Sequence, residues 1–308
     1  MKRFIRGITQ SLGPGRLRII LIALLLSVGF FSYYYVDRYV RNVPTTAQLT
    51  VMRAEEMVKA RPDDPNLRVQ LGNAYLGQRR YGDAVSQFQA SIKLQEQNPV
   101  AYLGLGDAYF RQGDQTKAQA AYQQVVDYYQ DRPERRSIRP LNGLYYNLAT
   151  IYVEQGKLDE AITSLKEALA IDKVDADALN LLATVYLRQG NYEEAAKSAS
   201  EAVRYVPDFL EAYETLEASY GKMGQSDLLP YAQGMISYSR GRFGDAVRLL
   251  EGATQRLPNH LPAQLGLAMA YEKAGQKDKA LATFKVAVEL DNENTTARFG
   301  VQRLEQQP

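Results

Sequence analysis

The sequence predicts an all-α solenoid of stacked antiparallel helix pairs behind one N-terminal apolar helix. Three observations predict it. Small and aromatic residues recur every 34 positions, apolar residues fall at helical spacing within each period, and an apolar run of 20 residues precedes the first period. Gly72, Tyr75 and Ala84 return as Gly106, Tyr109 and Ala118. Ala149, Tyr152, Gly156, Ala161 and Ala168 return as Ala183, Tyr186, Gly190, Ala195 and Ala202, and Gly241, Ala246 and Ala253 as Gly275, Ala280 and Ala287. A fixed period of this length marks one supersecondary unit stacked repeatedly along the chain.

Within a period, the small residues sit where two helices approach closely, and the Tyr at the eleventh position fills the space beside them. From Asn142, the first helix carries Tyr145, Leu148, Ala149 and Tyr152, one apolar helical face. Gly156 ends it in a left-handed turn. A second helix follows with Leu158, Ala161, Ile162, Leu165, Ala168 and Leu169. Each pair exposes an apolar face that only the next pair can cover, so stability comes from stacking.

The pattern resembles the tetratricopeptide repeat family from about Asn66 to the C-terminus, which implies a right-handed superhelix of antiparallel pairs. Units fall at 65–98, 99–132, 142–175, 176–209, 227–260 and 261–294. Pro207 and Pro258 stop second helices where the family places its proline, whereas Pro99 and Pro133 lie three positions late. Tyr102, Tyr145, Leu179 and Tyr213 hold the position that the family often gives to Trp, a residue absent from this chain.

Two departures interrupt the period. Tyr109 to Tyr152 exceeds it by nine residues, and the excess falls in 127–141, a loop carrying Arg132, Arg135, Arg136 and Arg139. Ala195 to Ala246 is one and a half periods, so one extra helix enters at 210–226. Its Tyr213, Leu216, Tyr220 and Gly224 look like the first half of a repeat without its second half. A kink or change of packing is expected near Gly224 to Pro230, dividing a front block (65–226) from a rear block (227–294). Residues 37–64 are read as a linker and an N-terminal capping helix with Leu49, Met52, Met57 and Val58 available for packing. Residues 295–308 are read as a terminal cap with Ala297, Val301 and Leu304 inward.

Leu17 to Val36 carries one charge, Arg18, and is long enough for a transmembrane helix at ~1.5 Å per residue. A signal peptide would need a small-x-small cleavage site. The run instead leaves through Phe30, Phe31, Ser32, Tyr33, Tyr34 and Tyr35, which suits an uncleaved anchor with an aromatic belt. Residues 1–16 hold Lys2, Arg3, Arg6 and Arg16, and with Arg18 they outweigh Arg38 and Arg41 beyond the run. The positive-inside rule then keeps the N-terminus in the cytoplasm and sends the repeats outside the cell membrane.

Through Asn42 the chain holds seven basic residues and one acidic, leaving 30 basic and 34 acidic beyond. The repeats are slightly acidic, which argues against a nucleic-acid partner. With no Cys there is neither disulfide nor thiolate chemistry. His260, the single histidine, lies in a turn without an evident nucleophile or carboxylate beside it, and is read as a surface residue. Gly104-Leu105-Gly106 falls inside a helical pattern with no preceding strand, so it is no dinucleotide loop. Paired acids such as Glu193-Glu194 suit helix starts. No catalysis, cofactor or metal is expected.

What remains is a binding surface. The family resemblance implies a concave groove lined by first helices, and its positions fall here on Asn73, Asp107, Phe110, Arg111, Tyr146, Asn147, Thr150, Asn180, Thr184 and Arg188. Amides and hydroxyls among a few aromatics suit an extended peptide. The carboxylate clamp used for chaperone tails is not matched, since Val69, Gly104, Gly143 and Asn147 occupy its places beside Asn73. The resulting expectation is a membrane-anchored scaffold that binds a protein segment in assembly, secretion or envelope biogenesis. A cytoplasm-facing receptor or assembly factor, and an accessory subunit of a cell-wall or polysaccharide synthase, stand as alternatives.

Overall fold

The computed structural model describes residues 14–35 and 44–306. Among the described residues there are sixteen α-helices and no strand. They are α1 (Pro14–Tyr35), α2 (Thr46–Ala60), α3 (Pro65–Gly77), α4 (Tyr81–Leu94), α5 (Pro99–Gln112), α6 (Gln115–Tyr129), α7 (Pro140–Glu154) and α8 (Leu158–Ile171). The rest are α9 (Ala176–Gln189), α10 (Tyr192–Tyr205), α11 (Leu210–Met223), α12 (Leu229–Ser239), α13 (Phe243–Arg256), α14 (Leu261–Lys273), α15 (Lys277–Leu290) and α16 (Thr295–Gln306). The chain divides into two compact units, Met1–Ala108 and Tyr109–Pro308.

α1 has 22 residues, about 33 Å of helix. Its described side chains, Ile19 and residues 22–35, are all exposed. Among the described residues no helix is long and apolar enough to cross a membrane. The transmembrane helix expected over 17–36 is therefore not supported among the described residues. The basic residues of 1–13 and the flank at 36–43, which carry the orientation argument, lie outside the described residues.

In the first unit, α2 opens with a capping box. The Thr45 hydroxyl accepts from the Gln48 N–H while the Gln48 side chain accepts from the Thr45 N–H. The face it buries differs from expectation: Val51 and Ala54 go inward, whereas Leu49, Met52 and Met57 stay exposed. The 51/54/58 stripe wins because it lies beside Glu55, whose carboxylate accepts from the Tyr75 hydroxyl at 2.7 Å. Burial, reinforced by that carboxylate, pushes Tyr75 up to about 12. Asp64 caps α3, with Pro65 in its first turn.

Phe88 on α4 is wholly buried and explains two glycines. A Cβ on Gly72 would lie 2.7 Å from its ring, and one on Gly104 2.4 Å. Residues 72 and 104 must therefore be glycine for as long as residue 88 is phenylalanine. Beside them, the buried Ser91 hydroxyl donates to the Pro65 carbonyl at 2.9 Å and accepts from Asn98, whose own oxygen caps Ala101.

First helices end in a left-handed residue. Gly113, Gly156, Gly190, Gly224, Gly241 and Gly275 all have φ between 70° and 82°. Arg79, one period before Gly113, is the non-glycine exception at φ 59°. A side chain there costs about 1 kcal/mol. Arg79→Gly is accordingly expected to stabilise α3–α4 by about 0.5–1 kcal/mol, seen as slower amide exchange over 65–94.

In the second unit, Gly224 and Gly241 stand 17 positions apart, so α11 and α12 both end as first helices do. α11 thus has no second helix of its own. One buried cluster runs from Leu179 through Tyr213, Tyr231 and Leu250 to Leu304, so the apolar core continues past this half-unit. The arginine-bearing insertion forms a short 3-10 turn, Pro133–Ser137. It is fastened by Arg135 to Glu167 at 2.9 Å, and by Arg132 lying over the Tyr128 ring. On α16, Ala297 and Leu304 are buried, while Arg303 pairs with Glu272 at 2.6 Å.

Candidate functional site

The expected groove residues belong to both units. Asn73 on α3 is exposed and Asp107 on α5 half-buried in the first; Phe110, half-buried, and Arg111, exposed, open the second. The other six lie on α7 and α9. There, three positions repeat in register: Tyr146 and Asn180, Thr150 and Thr184, Glu154 and Arg188. Leu144, Tyr145, Leu148 and Ala149 turn the opposite face of α7 into the core, as Leu179, Leu182 and Ala183 do for α9.

The side chains of this ladder differ in what they can offer. Both threonines donate to the carbonyl four residues back, Thr150 to Tyr146 and Thr184 to Asn180. Each hydroxyl keeps its lone pairs as acceptors. Burial raises the pKa of Tyr146, with Asp177 and Asp175 adding to it, so its hydroxyl stays a donor at neutral pH. Arg188 is exposed. Asn147 has structural work: its amide donates to the Tyr122 hydroxyl at 2.9 Å, tying α7 to α6.

At α11 the ladder closes. Glu214, one period beyond Asn180, pairs with Arg240 at 2.6 Å, and Glu217 accepts from Gln233 of α12 at 2.9 Å. The half-unit uses one ladder position, Glu214, together with Glu217 beside it, to hold α12.

Sequence reasoning missed a polar-aromatic cluster at this junction. The Tyr231 hydroxyl donates to that of Tyr213, which donates to the Pro207 carbonyl at 3.0 Å. The Tyr231 ring stands edge-on to Tyr213 at 6.0 Å and to His260 at 4.9 Å. Desolvation holds both tyrosines far above their ordinary value, so both are neutral donors. The signal lay in the phase break, which puts Tyr213 next to a second first helix. The partners of Tyr231 lie 18 residues before it and 29 after it in sequence, beyond any local pattern.

His260 is also corrected. It is half-buried against Tyr231 and caps α14, its Nδ1 accepting from the Ala263 N–H at 3.2 Å. Burial lowers its pKa, and the cap needs an unprotonated Nδ1, so the folded form is neutral with its proton on Nε2. The unfolded imidazole titrates near ~6.5 and the folded one below it. Acid therefore favours the unfolded state: this contribution is full above about 6.5 and declines as pH falls toward the folded value. As the chain has one histidine, its ring-proton titration by NMR reads the site directly. A midpoint below ~6.5 is expected, and His260→Asn, which retains a capping side chain, should remove that part of the acid sensitivity.

Among the described residues no cluster of three or more His, Asp or Glu could hold a metal ion.

Profiles described as tetratricopeptide repeat match residues 69–134 and 146–208, and again 237–299. A TPR repeat-containing protein of Methanocaldococcus jannaschii is 23% identical over 209 residues, covering 68% of this chain and 28% of that protein. The chain thus spans little more than a quarter of that relative's length. Among solved structures, YrrB, described as a TPR protein with an unusual peptide-binding site, is 16% identical with a TM-score of 0.49, covering 68% of this chain and 95% of that one. The C-terminal part of a TPR repeat-containing protein from Cytophaga hutchinsonii gives 16% identity and a TM-score of 0.49, covering 87% and 99%. With the period, the paired helices and the matched profiles in agreement, this chain belongs to the tetratricopeptide repeat family.

Proposed function

We propose that this protein is a non-catalytic scaffold, held at a membrane by α1, whose first helices bind an extended segment of a protein partner. The observation that carries the reading is the ladder on α7 and α9, where donors and acceptors recur in register on a half-buried to exposed face of the first helices. A strand of peptide needs such alternation of polar partners for its backbone. Support for the anchor comes from the sequence of α1 and from its exposed apolar side chains, such as Leu25 and Phe31, each 68% exposed. A helix apolar on all sides belongs in lipid or in a core. The excess of basic residues before the run supports repeats lying outside the cytoplasm, where assembly, secretion or envelope biogenesis would supply partners.

Photocrosslinking amino acids placed at Tyr146, Thr184 and Arg188 in intact membranes test the binding face. One dominant protein product from these sites, absent from a probe at exposed Lys197 on α10, is expected. Equal labelling from Lys197 would defeat the reading. Protease added to spheroplasts tests topology: repeats that resist digestion until the membrane is broken would reverse the orientation.

A further inference from the structure

We infer that the half-unit creates a recognition pocket for a basic side chain, Arg or Lys, set between apolar neighbours on an extended protein segment. This rests on the segment-binding reading above and assigns it a second point of attachment, at the half-unit that follows the ladder. The pocket is a cavity of about 690 Å³ walled by α10, α11, α12 and α14 and by the turn before α16. Such a volume lies within the range of sites that enclose a ligand group.

The cavity follows from the missing second helix. α12 packs against α11 in the place where α11's own partner would lie, and the N-terminal ends of these first helices leave a space. Tyr213 and Tyr231 line it, with Met235 and Met269 beside them. Gly266 helps to shape it: a Cβ there would lie 2.5 Å from the Met235 sulfur, so the glycine lets that thioether rest against α14.

The charge at the mouth selects the occupant. Asp291 and Glu293 line the cavity from the turn before α16. The Glu293 N–H donates to an Asp291 oxygen, which fixes the turn. Arg204 is the one cation among the lining residues, and Glu201 of its own helix meets it at 3.3 Å. The mouth is thus acidic, in keeping with 34 acidic against 30 basic residues beyond Asn42. A Lys or Arg offers an apolar stem to aromatic and thioether walls and a cation to carboxylates at the entrance. An acidic side chain would meet like charge there, at a cost that disfavours it.

The test uses the full chain in nanodiscs with methyl-13C methionine, of which the protein has six. The probes are three capped heptapeptides, identical apart from a central Leu-Arg-Leu, Leu-Lys-Leu or Leu-Glu-Leu. The Arg and Lys peptides should shift the Met235 and Met269 methyl signals saturably and leave Met52 and Met57 of α2 still. The Glu peptide should bind at least tenfold more weakly. Glu293→Lys with Asp291→Asn, both in the turn before α16, should weaken the Arg peptide about tenfold, and Met269→Trp should abolish the Met235 shift by filling the space. Equal binding of Arg and Glu peptides, or an Arg-peptide affinity unchanged by the turn variant, overturns the assignment. Crosslinks at Tyr146 and Arg188 together with motionless Met235 and Met269 would remove the pocket and leave the ladder. Shifts at both methionines without those crosslinks would remove the ladder alone.

Discussion

Phe88→Ala should destabilise the first unit by about 3–5 kcal/mol, the cost of emptying a wholly buried aromatic site. The ring lies against two helices through Gly72 and Gly104, and its removal leaves a hole that neither backbone can close. Gly104→Ala attacks the same contact from the other side. Ala gains about 1 kcal/mol of helix propensity over Gly, but its Cβ would stand 2.4 Å from the Phe88 ring. Overpacking of that kind costs about 1–3 kcal/mol, so the clash outweighs the gain. Gly143→Ala on α7, where nothing lies within 4 Å of the new Cβ, should have the opposite sign and stabilise. Adding Phe88→Leu to Gly104→Ala should recover part of the loss, with a coupling of about 1 kcal/mol. Stacked repeats need not unfold as one transition, so amide exchange over 65–112 of the full chain is the measure.

Tyr231→Ala should open the second unit at its half-unit, also at about 3–5 kcal/mol. This side chain is 4% exposed, packs edge-on against Tyr213 and His260, and hydrogen-bonds to Tyr213. The phenylalanine variants separate ring from hydroxyl. Tyr213→Phe takes the acceptor from a buried Tyr231 hydroxyl and the donor from the Pro207 carbonyl, costing about 1–3 kcal/mol. Tyr231→Phe removes only a donor, and Tyr213 keeps its bond to Pro207, so the cost is smaller, about 1 kcal/mol. The expected order is Tyr231→Ala, then Tyr213→Phe, then Tyr231→Phe, read as loss of exchange protection over 210–273. An order with Tyr231→Phe worst would mean that the hydroxyls, not the ring, hold the half-unit.

The architecture was legible because stacking demands small residues at fixed places, and those places recur as letters. The glycine turns were legible for the same reason, since five of the six left-handed glycines end helices at period or half-period spacing from another. Arg79 shows the limit: the backbone takes the left-handed turn there without the glycine that would announce it. The face of α2 was misjudged because Leu49, Met52 and Met57 are the larger apolar residues, yet the smaller Val51 and Ala54 lie on the side that α3 covers. Of the candidate groove residues, Asn147 could not be distinguished from its neighbours by position, since its tie to Tyr122 depends on a tyrosine standing one repeat earlier. The Tyr213–Tyr231–His260 cluster needed the half-unit to be folded before its members could meet.

Phe88 is matched by Gly104, Tyr122 by Asn147, Leu250 by Gly266 and Phe284 by Gly300. In each pair the first residue holds the twenty-fourth place of one repeat and the second the sixth place of the element that follows. The repeats therefore resemble links cut to individual teeth more than interchangeable beads. An exchange between the Tyr122–Asn147 joint and a Phe–Gly joint would set a phenylalanine against an asparagine, or a tyrosine against a glycine. The order of the array is written into its joints, and a lineage that lengthened or shuffled it would have to change residues in pairs.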